Sequence, residues 1–350
     1  MRKLIFVFLA MLLVTAAFAA EEQTPKLTYF QATDTASLLE AVSNVGPEGA
    51  TIAILPGTYT IKDTITFTGS NVNLLGSGWN TLIRKVGDGD AIVFKGSCWQ
   101  CSVRNMVIEG DPKMTKGSGI VFREGEWSGI CVIDRCHVRI FPESGIRFEG
   151  NAKKPFSSNT VSNCWLTGNL GDQLYSLANN DFYIIGNQLG TGADRLPKSG
   201  AFLDHSSAGT YSMNYHWGNT VGFRLGPGAN FNRIENNRFE QSRRQGILIG
   251  NPDGGDACQL NIITGNTIHT NSEKDKGVYP AVAAYDAVDT TFCENQVFSW
   301  DSNTARHKNA LVIGRGCASW IVKDNIFRHC TEAPIVYDKK ANHIVKDNIQ

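Results

Sequence analysis

The chain has 350 residues, 42% of them hydrophobic, which is enough to bury a large core. Lys plus Arg and Asp plus Glu each number 33, and no block of like charge occurs, so the electrostatic footprint of a nucleic-acid-binding protein is missing. The nine cysteines leave at least one unpaired, and the single C-x-x-C, Cys98 to Cys101, has no second pair to complete a zinc site.

In chain order, Arg2 and Lys3 precede an apolar run over 4–14 and the cleavage pattern Ala17-Phe18-Ala19. This predicts a signal peptide over 1–19 and one mature domain over 20–350. No later stretch is apolar for long enough to span a bilayer, so the expectation is a secreted or periplasmic protein without a membrane anchor. An amphipathic helix follows, capped by Asp34 or Thr35 and apolar at Leu38, Leu39 and Val42. A helix in front of a β-solenoid is expected to cover the open end of its core. Short strands come next, over 51–55, 64–67 and 71–75, separated by Gly-containing turns that leave no room for crossover helices.

From there a unit recurs at intervals of roughly 22 to 31 residues. One series reads Asn105-Met-Val, Cys136-His-Val, Cys164-Trp-Leu, Asn187-Gln-Leu, Tyr215-His-Trp, Asn237-Arg-Phe, Asn266-Thr-Ile, Asn295-Gln-Val, Asn325-Ile-Phe and Asn348-Ile-Gln. A second runs in step, including Gly119-Ile-Val-Phe, Gly145-Ile-Arg-Phe, Gly200-Ala-Phe-Leu and Gly246-Ile-Leu-Ile. Strands this short cannot close a sheet locally. Each must pair with its equivalent one coil away, about 4.8 Å distant, with alternate residues entering one continuous core. About ten such coils make a rod roughly 50–60 Å long. Asn suits the turns because it tolerates left-handed angles and its stacked amides can bond along the column. Several cysteines fall at inward positions, where a small apolar side chain packs well.

The segment from Ile54-Leu-Pro-Gly-Thr-Tyr-Thr-Ile61 through Leu74-Leu-Gly-Ser-Gly78, together with the Asn series, resembles the pectate-lyase-like superfamily of right-handed parallel β-helices. The resemblance covers essentially all of the mature chain. It implies a substrate groove over one strand of each coil, walled by the preceding loop. Alternation in those strands puts Ile146, Phe148, Ala201, Leu203, Phe223 and Leu225 in the core. Arg147, Glu149, Phe202, Asp204 and Arg224 then point outward, with Tyr175 outward in the coil between and Asp172 at its strand entrance. Stacking is expected to put Tyr175, Asp204 and Arg224 in one column. Loops are expected to add His216 with Trp217, and the run Glu240, Arg243 and Arg244.

Such a mixture suits a polyanionic sugar, because arginines pair carboxylates and aromatic faces pack on sugar rings. The leading expectation is a uronate lyase acting by β-elimination. Arg224, Arg243 or Arg244 would neutralise the substrate carboxylate, and His216, Tyr175 or an arginine would act as base. Arg147, Glu149, Phe202 and Trp217 would bind substrate. Leu203-Asp204-His205-Ser206 is similar to the W-[IV]-D-H stretch of one pectate lyase family, which implies Ca²⁺ on Asp204, helped by Asp172 or Glu240. The R-x-P-x-x-R stretch of that family is absent, as are the Asp-Asp of polygalacturonases and the D-P-H of alginate epimerases. The alternatives are a glycoside hydrolase or fructosyl transferase, using Asp204 with Glu240 or Asp172 with Asp204, and a non-catalytic glycan-binding module. The partner expected in each case is a polysaccharide, with the chain a monomer or a homotrimer.

Overall fold

The computed structural model describes residues 28–123, 128–191 and 195–350, so the expected signal peptide lies outside the described residues. Among them, one helix and a long succession of short strands form three extended parallel sheets. Each complete coil gives one strand to each sheet: Val132–Asp134 to sheet A, His137–Arg139 to sheet B and Ile146–Glu149 to sheet C. Sheet A has thirteen strands and sheets B and C eleven each, so the chain is an all-β parallel solenoid of about ten coils. Its helix, Thr35–Ser43, is capped by Asp34, whose Oδ1 accepts from Ser37 N at 2.8 Å. Leu38 and Ala41 are its buried face, lying against the first strands of all three sheets, whereas Leu39 is exposed.

The second sequence series is in register as read. Ile120 pairs with Ile92 and Ile146, and Ile146 with Leu174. Behind them Phe67, Phe94, Phe122 and Phe148 form a stacked file inside the rod, with centroids 5.4, 4.6 and 5.1 Å apart. Each buried ring contributes roughly 1.5–3 kcal/mol relative to an exposed one.

The first series needs a one-residue correction at two places. The register pairs Gln188 with Tyr215, so the partner of Asn187 is Asn214, not Tyr215. Likewise Met106, not Asn105, stands next to Cys136. The corrected column runs Met106, Cys136, Cys164, Asn187, Asn214, Asn237 and onward to Asn348. Its logic differs from the expectation too. The left-handed angle falls on the preceding residue, as at Met213 and Asn236, rather than on the ladder residue. The ladder amides are there for hydrogen bonds. Asn237 Oδ1 accepts from Asn214 N at 2.9 Å, and its Nδ2 donates to Asn266 Oδ1 and Tyr211 O, both at 3.0 Å. All nine cysteines are free and seven are buried, among them Cys136 and Cys164 at the start of the ladder.

Asn237→Ala leaves buried donors and acceptors in both neighbouring coils without partners. A loss of about 2–4 kcal/mol is expected by urea denaturation, against less than about 0.5 kcal/mol for the exposed control Arg233→Ala.

Candidate active site

The outward positions of sheet C form two columns. In the first, Arg147 pairs with Tyr175, Tyr175 with Phe202, and Phe202 with Arg224. Their side chains touch in that order. The Arg147 guanidinium lies 5.3 Å from the Tyr175 ring centre, Tyr175 meets Phe202 edge-on at 5.5 Å, and Arg224 stacks 3.9 Å over Phe202. The second column holds Glu149, Leu177 and Asp204. The expected single column of Tyr175, Asp204 and Arg224 is thereby corrected. Phe202 occupies the place given to Asp204, which stands two residues further along its strand. The three still share one wall, and the Tyr175 hydroxyl crosses diagonally to donate to Asp204 Oδ2 at 3.1 Å.

The turns between sheets B and C stack into the side of this wall through backbone bonds: Gly171 N to Glu143 O at 2.9 Å, Lys198 N to Gly171 O at 2.9 Å and Val221 N to Lys198 O at 3.1 Å. Between turn and sheet lies a cleft of about 280 Å³, lined by Glu143, Arg147, Asp172, Tyr175 and Lys198 among others. Lys198 escaped the sequence reading. Its signal was present, since it is a basic residue in the turn just before the Gly200-Ala-Phe-Leu strand.

Asp172 opens the strand Asp172–Leu177, where Gln173 and Leu174 are both fully buried. That break in alternation lets Asp172 and Tyr175 line the same cleft. Ser199 Oγ donates to Asp172 Oδ1 at 2.5 Å. Burial raises the Asp172 pKa, opposed by the Ser199 bond and by the charges of Arg224, Lys198 and Arg147. Arg147 and Lys198 line the cleft with this buried carboxyl, and the charge of Arg224 also acts on it. Arg147 is shared with Glu149 at 2.7 Å and Glu143 at 3.4 Å, while Arg224 and Lys198 form no ion pair within 4 Å among the described residues. The Tyr175 hydroxyl is pushed above its ordinary range by burial and then by the Asp204 charge.

Asp204 also receives His205, whose Nδ1 lies 2.7 Å from Oδ1, and His205 Nε2 reaches Asp256 at 3.2 Å. Partial burial works against a charged His205 ring, but the bonds and charges of Asp204 and Asp256 outweigh it and raise its pKa. These bonds bear on the expected Ca²⁺. Calcium takes about six to eight oxygen ligands, yet both Asp204 oxygens are engaged by Tyr175 and His205, and one Asp172 oxygen by Ser199. Among the described residues no group of three or more His, Cys, Asp or Glu side chains is placed to hold a metal ion, so the residues present do not fit one.

Three other expectations are corrected in place. His216 is a core residue of the sheet B strand Tyr215–Trp217, not a loop residue. It is fully buried, 2.5 Å from the Tyr211 hydroxyl and stacked near Phe239, and burial lowers its pKa to about 3. The strand is only three residues long, so its alternation is too short to separate the inward His216 from the outward Trp217 by sequence alone. Trp217 and Glu240 face outward from sheet B, on a different side of the rod from Asp204, so an Asp204–Glu240 acid–base pair is ruled out. Arg243 and Arg244 do lie on the turn wall, bonded to Asn219 O and Thr220 O. They precede the strand Ile247–Ile249, three coils beyond Asp172 and so about 14 Å along the axis. Arg244 stacks on Tyr279 instead, at 5.4 Å.

The architecture is that of the right-handed parallel β-helix proteins. A family model described as "Periplasmic copper-binding protein (NosD)" matches residues 104–299, more than half of the chain, and the chain belongs to that family. No curated protein matches the sequence. Among solved structures, it is similar to the mannuronan C-5 epimerase AlgE6 A-module of Azotobacter vinelandii, with 15% identity over 90% of this chain and 93% of that one and a TM-score of 0.56. The DFA-IIIase of Arthrobacter chlorophenolicus A6, in complex with DFA-III, is 11% identical over 84% of this chain and 79% of that one, with a TM-score of 0.63. The Dettilon tailspike protein is 13% identical over 90% of this chain, with a TM-score of 0.65, and this chain spans 62% of its length. At these identities the likeness is one of fold.

The raised Asp172 pKa has a thermodynamic sign. An acid with a raised folded pKa favours folding fully below its unfolded value, and that contribution is lost as pH rises through the folded pKa. Asp172→Asn, which keeps an acceptor for Ser199, is therefore expected to raise the melting temperature at neutral pH. The gain should vanish below about pH 3.8. Thermal scans at the two pH values measure it.

Proposed function

We propose that this chain is an exported enzyme acting on an acidic polysaccharide, and that the sheet C cleft removes the proton beside a uronate carboxylate. The meeting of Arg147 and Lys198 in a cleft that also holds Asp172 and Tyr175, with Arg224 further along the same wall, carries the reading. A substrate carboxylate entering there meets Lys198 and then Arg224, which form no ion pair within 4 Å among the described residues, and such cations stabilise the charge that grows on it as the neighbouring carbon loses its proton.

Tyr175 supplies the proton transfer. Its raised pKa argues against a standing phenolate. Its hydrogen bond to Asp204 offers a relay instead. The phenol passes its proton to Asp204 while its oxygen takes the substrate proton, gives that proton to the departing glycosidic oxygen as the bond breaks, and recovers its own from Asp204. The product carries a new carbon–carbon double bond. Asp204 is held by His205 and Asp256, which makes those two positioning residues. All of these groups come from one chain.

The family name adds a periplasmic setting, which agrees with the expected signal peptide, and no helix of the described residues is long and apolar enough to cross a membrane. The name also carries copper. The residues described do not form a set that fits that ion, and no step is assigned to it. The similarity in fold to a mannuronan C-5 epimerase supports sugar chemistry of this general kind. A hydrolytic reading has one observation in its favour: burial of Asp172 raises its pKa and suits it to deliver a proton as the acid.

Incubation with polymannuronate and polygalacturonate separates the two. Elimination gives the ultraviolet absorbance of an unsaturated uronate end; reducing ends without that absorbance would discard it. Tyr175→Phe is expected to cut the rate by about 10²–10⁴ and Arg224→Ala by about 10²–10³. Arg244→Ala, on the same wall but three coils away, should leave catalysis on a short oligomer within about threefold, as expected for a group outside the cleft.

A further inference from the structure

We propose a second polysaccharide site, separate from the sheet C cleft, along the outer face of sheet B. It would hold an extended acidic chain without reacting with it. Sheet B presents two outward columns, and aromatic rings recur along them. Trp79 leans over His137 and Trp165, at 5.3 and 5.4 Å, and His137 and Trp165 are themselves stacked at 5.1 Å. Two coils on, Tyr215 and Trp217 stack at 5.1 Å. Further along, His269 stacks on Phe298 at 5.2 Å, with Trp300 against both. Trp79 and Trp300 are 58% and 65% exposed, which is costly for indoles that nothing covers.

The coil between the first two groups carries Gly190. A Cβ there would come within 2.3 Å of the Trp217 ring, so the missing side chain is what lets Trp217 lie across that coil toward Trp165. The result is a ribbon of rings two columns wide. From the coil of His137 to that of Phe298 are six steps, about 29 Å. A shape so narrow and straight matches one extended polymer better than a globular partner, and a pyranose in an extended chain advances by about one coil spacing.

Charge selects the class of polymer. Four arginines, Arg84, Arg139, Arg238 and Arg328, stand on these columns against two glutamates, Glu109 and Glu240. Glu109 holds Arg84 at 2.9 Å and Arg139 at 2.6 Å. Glu240 accepts from Tyr215 and Arg238 and lies 2.8 Å from His269 Nε2. The glutamates lock the arginine planes in place beside the rings, and the surplus of cations, on a chain whose net charge is zero, remains for an anionic ligand. Planar guanidinium groups fixed next to aromatic faces suit a uronate, whose ring stacks while its carboxylate is paired.

Native gels cast with polygalacturonate, polymannuronate or neutral dextran test the site on the full chain. An Arg147→Ala/Arg224→Ala background first disables binding at sheet C. Retardation by at least one acidic polymer and none by dextran is expected. Trp79→Ala, Trp217→Ala and Trp300→Ala should each weaken it about three- to tenfold. The exposed Trp79 and Trp300 keep the test independent of folding, and circular dichroism checks all three. Mobility unaffected by either acidic polymer, or retardation that the three substitutions leave unchanged, overturns the proposal. The readout needs no turnover, so a chain that binds here yet makes no unsaturated product refutes only the reaction assigned to sheet C.

Discussion

Each coil of this protein satisfies its backbone through the coils above and below, and that single requirement organises everything else. Parallel pairing leaves no local partner for a three-residue strand, so a coil is stable only if its strands meet their counterparts in register. The turns must keep that register while the coil length changes. The asparagine ladder does so by tying each turn to the next with main-chain and side-chain bonds at about 3 Å. A buried amide left unpaired costs about as much as several such bonds contribute, so the ladder penalises any coil that slips. Register then fixes function, because it decides which residues of distant sequence share a wall.

The sequence made the inward positions of Ile146–Glu149, Ser199–Asp204 and Val221–Leu225 legible because apolar residues alternate with polar or larger outward ones there and a Gly stands just before the first inward residue of each alternation. Arg147, Glu149, Phe202, Asp204 and Arg224 could be placed outward on that ground alone. Two kinds of information were out of reach. The first is the frame of a turn: Asn214-Tyr215 offers two adjacent choices for the ladder position, and the wrong one leaves His216 and Trp217 together in a loop instead of on opposite faces of the strand Tyr215–Trp217. The second is reach across columns. Spacing locates backbone positions, but Tyr175 is long enough to bond Asp204 on the diagonal, and Phe202 fills the place between Tyr175 and Arg224. Lys198 was missed because a single lysine in a turn carries no periodic signal until the turn is known to stack against the cleft.

The same stacking separates the polar groups of the rod onto two faces that the linear sequence interleaves. Glu240 lies close in sequence to Arg243 and Arg244, yet it faces out from sheet B while they sit on the sheet C wall. On sheet B the charges are largely satisfied by one another, and rings supply the contact surface. On sheet C the balance is reversed near the cleft: among the described residues Arg224 and Lys198 form no ion pair within 4 Å, and Asp172 beside Lys198 is buried. The binding proposed for sheet B and the reaction proposed for sheet C call for these different arrangements. Paired charges hold rings in position, whereas catalysis needs cations whose strongest interaction is still to be made.

Asp172 shows the cost of the second arrangement. A buried carboxyl with only a serine hydroxyl as direct partner opposes folding when ionised, and nearby arginines offset that penalty only in part. An apolar residue would fill the strand entrance at lower cost, as Gln173 and Leu174 beside it show that the site is well packed. Retaining the acid makes sense if its charge is coupled to what enters the cleft. An arriving anion draws the three cations toward itself and so favours the protonated form of Asp172. That form can donate a hydrogen bond to the ligand where the carboxylate would repel it. The buried acid thus links ligand charge to the state of the cleft, a coupling that neither Arg147, paired with Glu149, nor Tyr175, held by Asp204, can provide alone.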